Sequence, residues 1–167
     1  MSVASTGFRD LVGASSAELE AHMRRGETPD VDRLVGREFR GANTAAWMHR
    51  LRLQQFVKGF ERRPDGSLAG YNRRVAQDGL DGQWASPGRR FGFFTVGSVN
   101  PAARDNHYLQ ALLLDYGAGG NPWFDPSRPI RDYLVQVDDG LLLGRAFLAV
   151  GPLRPSAGTY FVLEPLG

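Results

Sequence analysis

The chain has 167 residues, 42% of them hydrophobic and 11% aromatic, which suits one domain with an apolar core. It has no cysteine, which excludes disulfides, thiolate metal sites and thiol nucleophiles. The formal net charge is only +2 and the arginines are scattered along the chain, with four adjacent pairs among them, so we expect no nucleic-acid partner.

A helix is predicted near the N-terminus. Ser15 and Glu18 have the spacing of a capping box, in which each side chain satisfies a free amide at the start of a helix. The helix is expected over residues 17–25, with Leu19 and Met23 on one face. We therefore divide a single domain into a helical segment, residues 1–30, and a β-rich segment, residues 31–167.

The rest of the chain is predicted to be β-structure. Turn signals separate segments of strand composition at 34–40, 51–62, 68–77, 90–99, 108–116, 130–137, 141–150 and 159–164. Asp139-Gly140 and Asp65-Gly66 are the strongest hairpin signals. Short connections join antiparallel neighbours, so we expect a mainly β fold, an antiparallel meander closing as a small barrel of about eight strands. A two-sheet sandwich and a curved sheet enclosing helices are the alternatives.

This pattern resembles the lipocalin and fatty-acid-binding group of small β-barrels, which open with a short helix and continue as an antiparallel meander. The nearest counterpart of the lipocalin Gly-x-Trp motif is Gly36-Arg37-Glu38-Phe39, where a displaced Phe stands in place of Trp. The resemblance covers most of the chain and implies an apolar ligand cavity inside the barrel.

Three predicted strands carry a cation between apolar neighbours on one face, since strand side chains alternate between faces. The three sets are Phe56, Lys58 and Phe60; Tyr71, Arg73 and Val75; and Leu143, Arg145 and Phe147. One interpretation has each cation reach solvent or pair with an acid. The other places it in a cavity, where an arginine binds a carboxylate bidentately and tyrosines donate hydrogen bonds.

The leading hypothesis is a barrel that binds an apolar small molecule with an anionic or polar end. Its predicted ligand-binding residues are Lys58, Tyr71, Arg73, Tyr108, Tyr133, Arg145, Phe147, Tyr160 and Trp123. Trp123 follows a glycine-rich stretch that we interpret as a loop at the barrel mouth.

Two other hypotheses stay open. The first is a cofactor-independent isomerase or cyclase acting on a lipid-like or polyketide-like substrate, with Asp115 and Tyr133 as candidate catalytic residues. Asp132 is an alternative buried base, and Lys58 is a candidate amine nucleophile if burial lowers its pKa. The second is an interaction module whose interior is filled by side chains.

No metal or cofactor is expected, because the three histidines, His22, His49 and His107, lack the paired spacing of zinc ligands. No apolar run reaches the length of a membrane span, and the first residues lack a signal-peptide pattern. We therefore expect a cytoplasmic protein with no membrane partner.

Overall fold

A closed antiparallel barrel forms the body of the chain in a computed structural model that describes residues 6–85, 88–104, 106–149 and 158–167. Each strand pairs with the next along the chain, and the last pairs with the first. The strands are β1 (Glu38–Asn43), β2 (Gln55–Arg62), β3 (Leu68–Arg74), β4 (Arg90–Ser98), β5 (Leu112–Asp115), β6 (Ile130–Asp138), β7 (Leu141–Leu148) and β8 (Thr159–Pro165). The predicted fold class, a mainly β barrel of eight strands, is confirmed.

Within the described residues, four short helices accompany the barrel: α1 (Phe8–Val12), α2 (Ser16–Arg25), α3 (Val31–Leu34) and α4 (Ala46–Arg50). The predicted capping box begins α2. The Ser15 hydroxyl accepts from the Glu18 amide (3.3 Å), and the Glu18 carboxylate accepts from the Ser15 amide (2.8 Å). No helix in the described ranges is long and apolar enough to cross a membrane.

Some predicted strand boundaries differ from the structure. The segment 34–40 divides into the end of α3 and the start of β1, because Asp30 caps a helical turn by accepting from the Asp32 amide (3.0 Å). Residues 51–54 follow α4 and precede β2, and Arg52 there adopts a left-handed backbone conformation (φ 55°) that no strand allows. The predicted strand end at residue 150 lies outside the described residues.

The buried residues form two layers, one inside the barrel and one outside it. The inner layer draws on strands from all around the barrel and includes Phe60, Phe94, Leu114, Leu134 and Phe161. The outer layer lies where α1 and α2 pack against β6, β7 and β8. Both faces of these three strands are therefore buried.

The two ends of the barrel differ. Leu34 of α3 joins inner side chains from the strands at one end, including Phe39, Phe60, Leu112 and Leu142, so this closed end is packed. The opposite end carries α4 and the loops that follow β3, β5 and β7. We call it the open end, because a cavity enters the barrel there.

Candidate functional site

The open end contains a cavity of about 420 Å³. Its wall is largely apolar and aromatic, and includes Met48, Leu53, Phe56, Phe91, Ile130 and Phe161. Small-molecule sites are concave and mainly apolar, with few polar groups, and this cavity falls within their usual size range. A groove of about 470 Å³ at the closed end is less suited to an apolar ligand, because charged residues line it and Arg33 pairs there with Asp139 (2.7 Å).

Four polar side chains meet at the floor of this cavity. Lys58 Nζ donates to Tyr116 Oη (2.7 Å) and to Asp132 Oδ2 (3.2 Å), and Tyr116 Oη donates to Asp132 Oδ2 (3.0 Å). Asn72 Nδ2 donates to Tyr116 Oη (3.2 Å) and to the carbonyl of Gly92 (2.9 Å). Four different strands or strand ends supply these groups, which we call the floor cluster.

Strand alternation explains why these side chains converge. Asn72 is the register partner of Lys58 across β2 and β3, so both point to the same side of the sheet. Tyr116 continues the inward-facing series of Leu112 and Leu114, and Asp132 lies two residues before the inward-facing Leu134. Each polar group therefore occupies an inward-facing position of its strand or strand end.

Burial controls the acid–base chemistry of the floor cluster. The side chains of Lys58 and Asp132 are only 2% and 4% exposed. Burial lowers the pKa of Lys58 below its ordinary value, although the charge of Asp132 opposes the shift. It also raises the pKa of Asp132 against the opposing charge of Lys58, and holds the pKa of Tyr116 well above its usual range. Burial therefore favours the neutral form of both groups, and the attraction between their charges opposes it.

Aromatic rings surround the lysine nitrogen. The ring centroids of Phe94, Phe161, Tyr116 and Phe56 lie 4.7, 5.2, 5.3 and 5.6 Å from Nζ. Ring faces stabilise an ammonium while excluding water from it.

Glycines make room for three of these rings. A Cβ atom at Gly41 would collide with Phe56, one at Gly70 with Phe94, and one at Gly144 with Phe161. Small residues on β1, β3 and β7 thus allow large rings to stand around Nζ.

The mouth of the cavity is basic. Arg52 and Arg74 are exposed residues of its lining, and the Arg74 guanidinium lies 5.4 Å from the centre of the Phe91 ring. Asp132 is the one acidic residue among the described residues of the lining, and Lys58 already pairs with it. The cavity therefore has an apolar body, a neutralised floor and a cationic rim.

The structure places Arg145 outside the barrel, in a second polar cluster beneath α2. Glu20 Oε2 accepts from Arg145 Nη1 (2.7 Å), Tyr108 Oη (2.6 Å) and Tyr160 Oη (2.8 Å). The hydrogen bonds from Tyr108 and Tyr160 and the charge of Arg145 outweigh burial and lower the pKa of Glu20. We call this set the outer cluster; its members do not line the open-end cavity.

The other predicted ligand-binding residues also lie away from the open-end cavity lining. Arg73 pairs with Glu38 (2.8 Å), and Tyr71 donates to the same carboxylate (2.9 Å). Tyr133 and Phe147 pack in the outer core layer beside His107, whose ring stacks on Phe147 at 4.3 Å. Trp123, at the open end, is 86% exposed.

Of the predicted ligand-binding set, the structure brings Lys58 alone to the cavity lining. Asp115, a candidate catalytic residue, pairs with Arg131 (2.8 Å) and accepts from the Gly117 amide (2.8 Å), which gives it a role in the loop after β5. The alternative base, Asp132, does line the cavity. Catalytic roles for Asp115 and Tyr133 stay predictions.

Sequence reasoning missed Tyr116, Asn72, Arg52 and Arg74 as cavity residues. A signal for Tyr116 was present, since Leu112, Leu114 and Tyr116 alternate along one strand. Arg74 continues the alternation of Asn72 at the end of β3, where it pairs in register with Phe56. No comparable signal marks Arg52, which lies between α4 and β2 and adjoins the cavity through the fold of that connection. Within the described ranges, no group of three or more His, Asp or Glu residues is arranged to hold a metal ion.

Comparisons with known proteins add no constraint on this site. No protein-family model, no curated protein and no solved structure matches the chain.

Proposed function

We propose that the barrel binds a small molecule with an apolar body and an anionic or polar end in the open-end cavity. The observation that carries this proposal is the cavity itself, about 420 Å³ with an apolar wall and a basic rim. The closed meander supports the same proposal, because lipocalin-like barrels have this architecture too. The support comes from the fold and not from a sequence motif.

The charges indicate how such a ligand would lie. At the floor, Asp132 neutralises Lys58, so an anionic group there would face a carboxylate at close range. At the rim, Arg52 and Arg74 carry positive charge, which favours an anion there. We therefore propose that the apolar body enters the barrel first and that an anionic end stays at the mouth.

Calorimetric titration with dodecanoate and with 1-dodecanol tests this proposal. Replacing both rim arginines (Arg52→Gln with Arg74→Gln) should weaken dodecanoate binding about tenfold, because each rim charge contributes up to about 1 kcal/mol. Binding of the uncharged 1-dodecanol should change little. Arg50→Gln is the matched control, since Arg50 is exposed on α4 but absent from the cavity lining.

Two results would contradict the proposal. One is that neither compound binds the wild-type chain. The other is that Arg50→Gln weakens dodecanoate binding as much as the rim variants do.

A second candidate is a cofactor-independent isomerase or cyclase, which the floor cluster favours. Asp132 provides a proton acceptor, and Tyr116 and Lys58 provide donors for a developing oxyanion. Such a site should exchange the α-protons of 2-decanone with deuterium oxide, as followed by NMR. Asp132→Asn should abolish the exchange while Lys58→Arg retains it; exchange no faster than in buffer would exclude this candidate.

A further inference from the structure

Lys58 is the one lysine of the chain. All the others of its 20 Lys and Arg residues are arginines. An arginine-rich composition explains why surface positions carry guanidinium groups. It does not explain why the one primary amine of a side chain lies 2% exposed in the barrel interior, on the lining of an apolar cavity. The position of Lys58 therefore calls for a property that arginine lacks.

That property is nucleophilicity. A guanidinium stays protonated in proteins, whereas a buried amine loses its proton readily and then attacks carbonyl carbon. Lys58 has the surroundings that such an amine needs: a carboxylate at 3.2 Å to take its proton and a phenol at 2.7 Å to bond the carbonyl oxygen. Three phenylalanine rings surround the nitrogen with apolar surface, which disfavours water beside the product.

We infer that Lys58 forms an imine with an aldehyde or ketone at the inner end of the cavity ligand, with Asp132 as proton acceptor and counter-ion and Tyr116 as hydrogen-bond donor. The inference rests on the proposed function, since the ligand must first enter the open-end cavity. It deepens that function by assigning a chemical class to the buried end of the ligand, a neutral carbonyl.

The reaction balances with the groups present. The Lys58 ammonium first gives one proton to Asp132. The free amine then adds to the carbonyl carbon, so that a C–N bond forms and the π electrons move to the oxygen, which takes the proton from Asp132. The adduct nitrogen then gives a second proton to Asp132, which passes it to the hydroxyl oxygen. The C–O bond breaks as this oxygen leaves as water, and the nitrogen electron pair forms the C=N bond of a protonated imine, with Asp132 again ionised. Amine and carbonyl become imine and water, and no oxidant or reductant takes part.

A charged imine keeps the electrostatic balance of the floor. As a protonated imine, the product nitrogen carries the same single positive charge beside Asp132 and the rings as the ammonium does. The ion pair of the free protein is thus replaced by an equivalent one. An uncharged carbonyl reaches Nζ without placing a second anion next to Asp132.

Reductive trapping tests the inference directly. The wild-type chain is incubated with decanal and sodium cyanoborohydride, digested, and mapped by mass spectrometry. Lys58 and the α-amino group of the chain are its primary amines, so the map has two sites to compare. We expect the peptide containing Lys58 to carry the decyl group first, and excess 1-decanol to suppress that labelling by occupying the cavity.

Lys58→Arg is the matched variant, because it keeps the positive charge but cannot form an imine. Labelling should then be confined to the α-amino group, with circular dichroism establishing that the barrel is folded. If this variant does not fold, the wild-type map alone decides the question.

The outcomes separate the inference from the proposed function. Labelling confined to the wild-type α-amino group, with 1-decanol binding retained, would overturn the imine while leaving the cavity function intact. Absence of both Lys58 labelling and 1-decanol binding would overturn both. Labelling of Lys58 that 1-decanol does not suppress would also overturn the inference, because the aldehyde would not have reacted from the cavity.

Discussion

The floor cluster inside the barrel and the outer cluster beneath α2 are built from the same kinds of groups but serve different purposes. Each joins a cation, a carboxylate and tyrosine. In the outer cluster Glu20 accepts from Arg145 and two tyrosines, and it also pairs with Arg24 (2.9 Å). These contacts tie α2 to the barrel wall, and the cluster does not line the open-end cavity.

Their environments explain the difference. In the outer cluster the side chains of Glu20 and Arg145 are 23% and 21% exposed, so solvent still screens their charges. The floor cluster is almost fully buried and lines a cavity, so its charges depend on one another. The partly solvated outer cluster is therefore a structural brace, which holds α2 on the barrel. The floor cluster is buried and lines a cavity, so it is the candidate site.

The largest effect is expected from Lys58→Met. This change leaves Asp132 buried beside apolar rings without its cation, which costs about 3–5 kcal/mol of the free energy of unfolding. Urea denaturation of the variant and the wild type measures the difference. Adding Asp132→Leu to Lys58→Met should recover most of the lost free energy of unfolding, because the double variant buries two apolar side chains and no isolated charge. A double variant as unstable as the single one would show that the ion pair is not the cause.

A smaller effect is expected in the outer cluster. Glu20→Gln removes the charge that Arg145 and the two tyrosines contact, and we expect it to lower the free energy of unfolding by about 1–2 kcal/mol. Dodecanoate affinity should stay at the wild-type value, because α2 lies outside the cavity. A loss of dodecanoate affinity comparable to that of the rim variants would show that the outer cluster also takes part in ligand binding.

The smallest effect concerns pH. The pKa of Glu20 is lowered in the folded chain, so its stabilisation is present above the ordinary glutamate pKa and is lost as the pH falls through the lowered value. The pKa of Asp132 is raised, so the folded chain binds this proton first and gains stability as the pH falls through the raised value. The two clusters should therefore respond to acid in opposite directions.

Urea unfolding at a series of pH values between neutral and acid measures these responses. Glu20→Gln should reduce the decrease in the free energy of unfolding as the pH falls. Asp132→Asn should make that decrease larger. If both variants changed the pH dependence of the free energy of unfolding in the same direction, the opposite responses of the two clusters would be contradicted.

The number and order of the strands could be read from the sequence because the signals involved are local. Asp139-Gly140 sits at the hairpin between β6 and β7, where Gly140 adopts the left-handed conformation (φ 69°) that such turns need. Ser15 and Glu18 similarly begin α2 through contacts three residues apart. The closed meander follows from short connections between such strands.

The candidate site was only partly predictable. Lys58 and Arg145 occupy equivalent places in an alternating apolar pattern, and both lie on a buried face of their strands. Alternation indicates that a face is buried but not what buries it. For Lys58 the covering is the inside of the barrel, and for Arg145 it is α2.

Local signals along the chain thus predict the strand order, the capped helix and one lysine on an apolar strand face, since each depends on neighbours in sequence. Tertiary packing set which face became the interior, because α1 and α2 also bury the outer face of β6, β7 and β8. It also decided the partner of Lys58, which lies 74 residues away in Asp132. Contacts over that distance arise from barrel closure, and no local pattern in the chain records them.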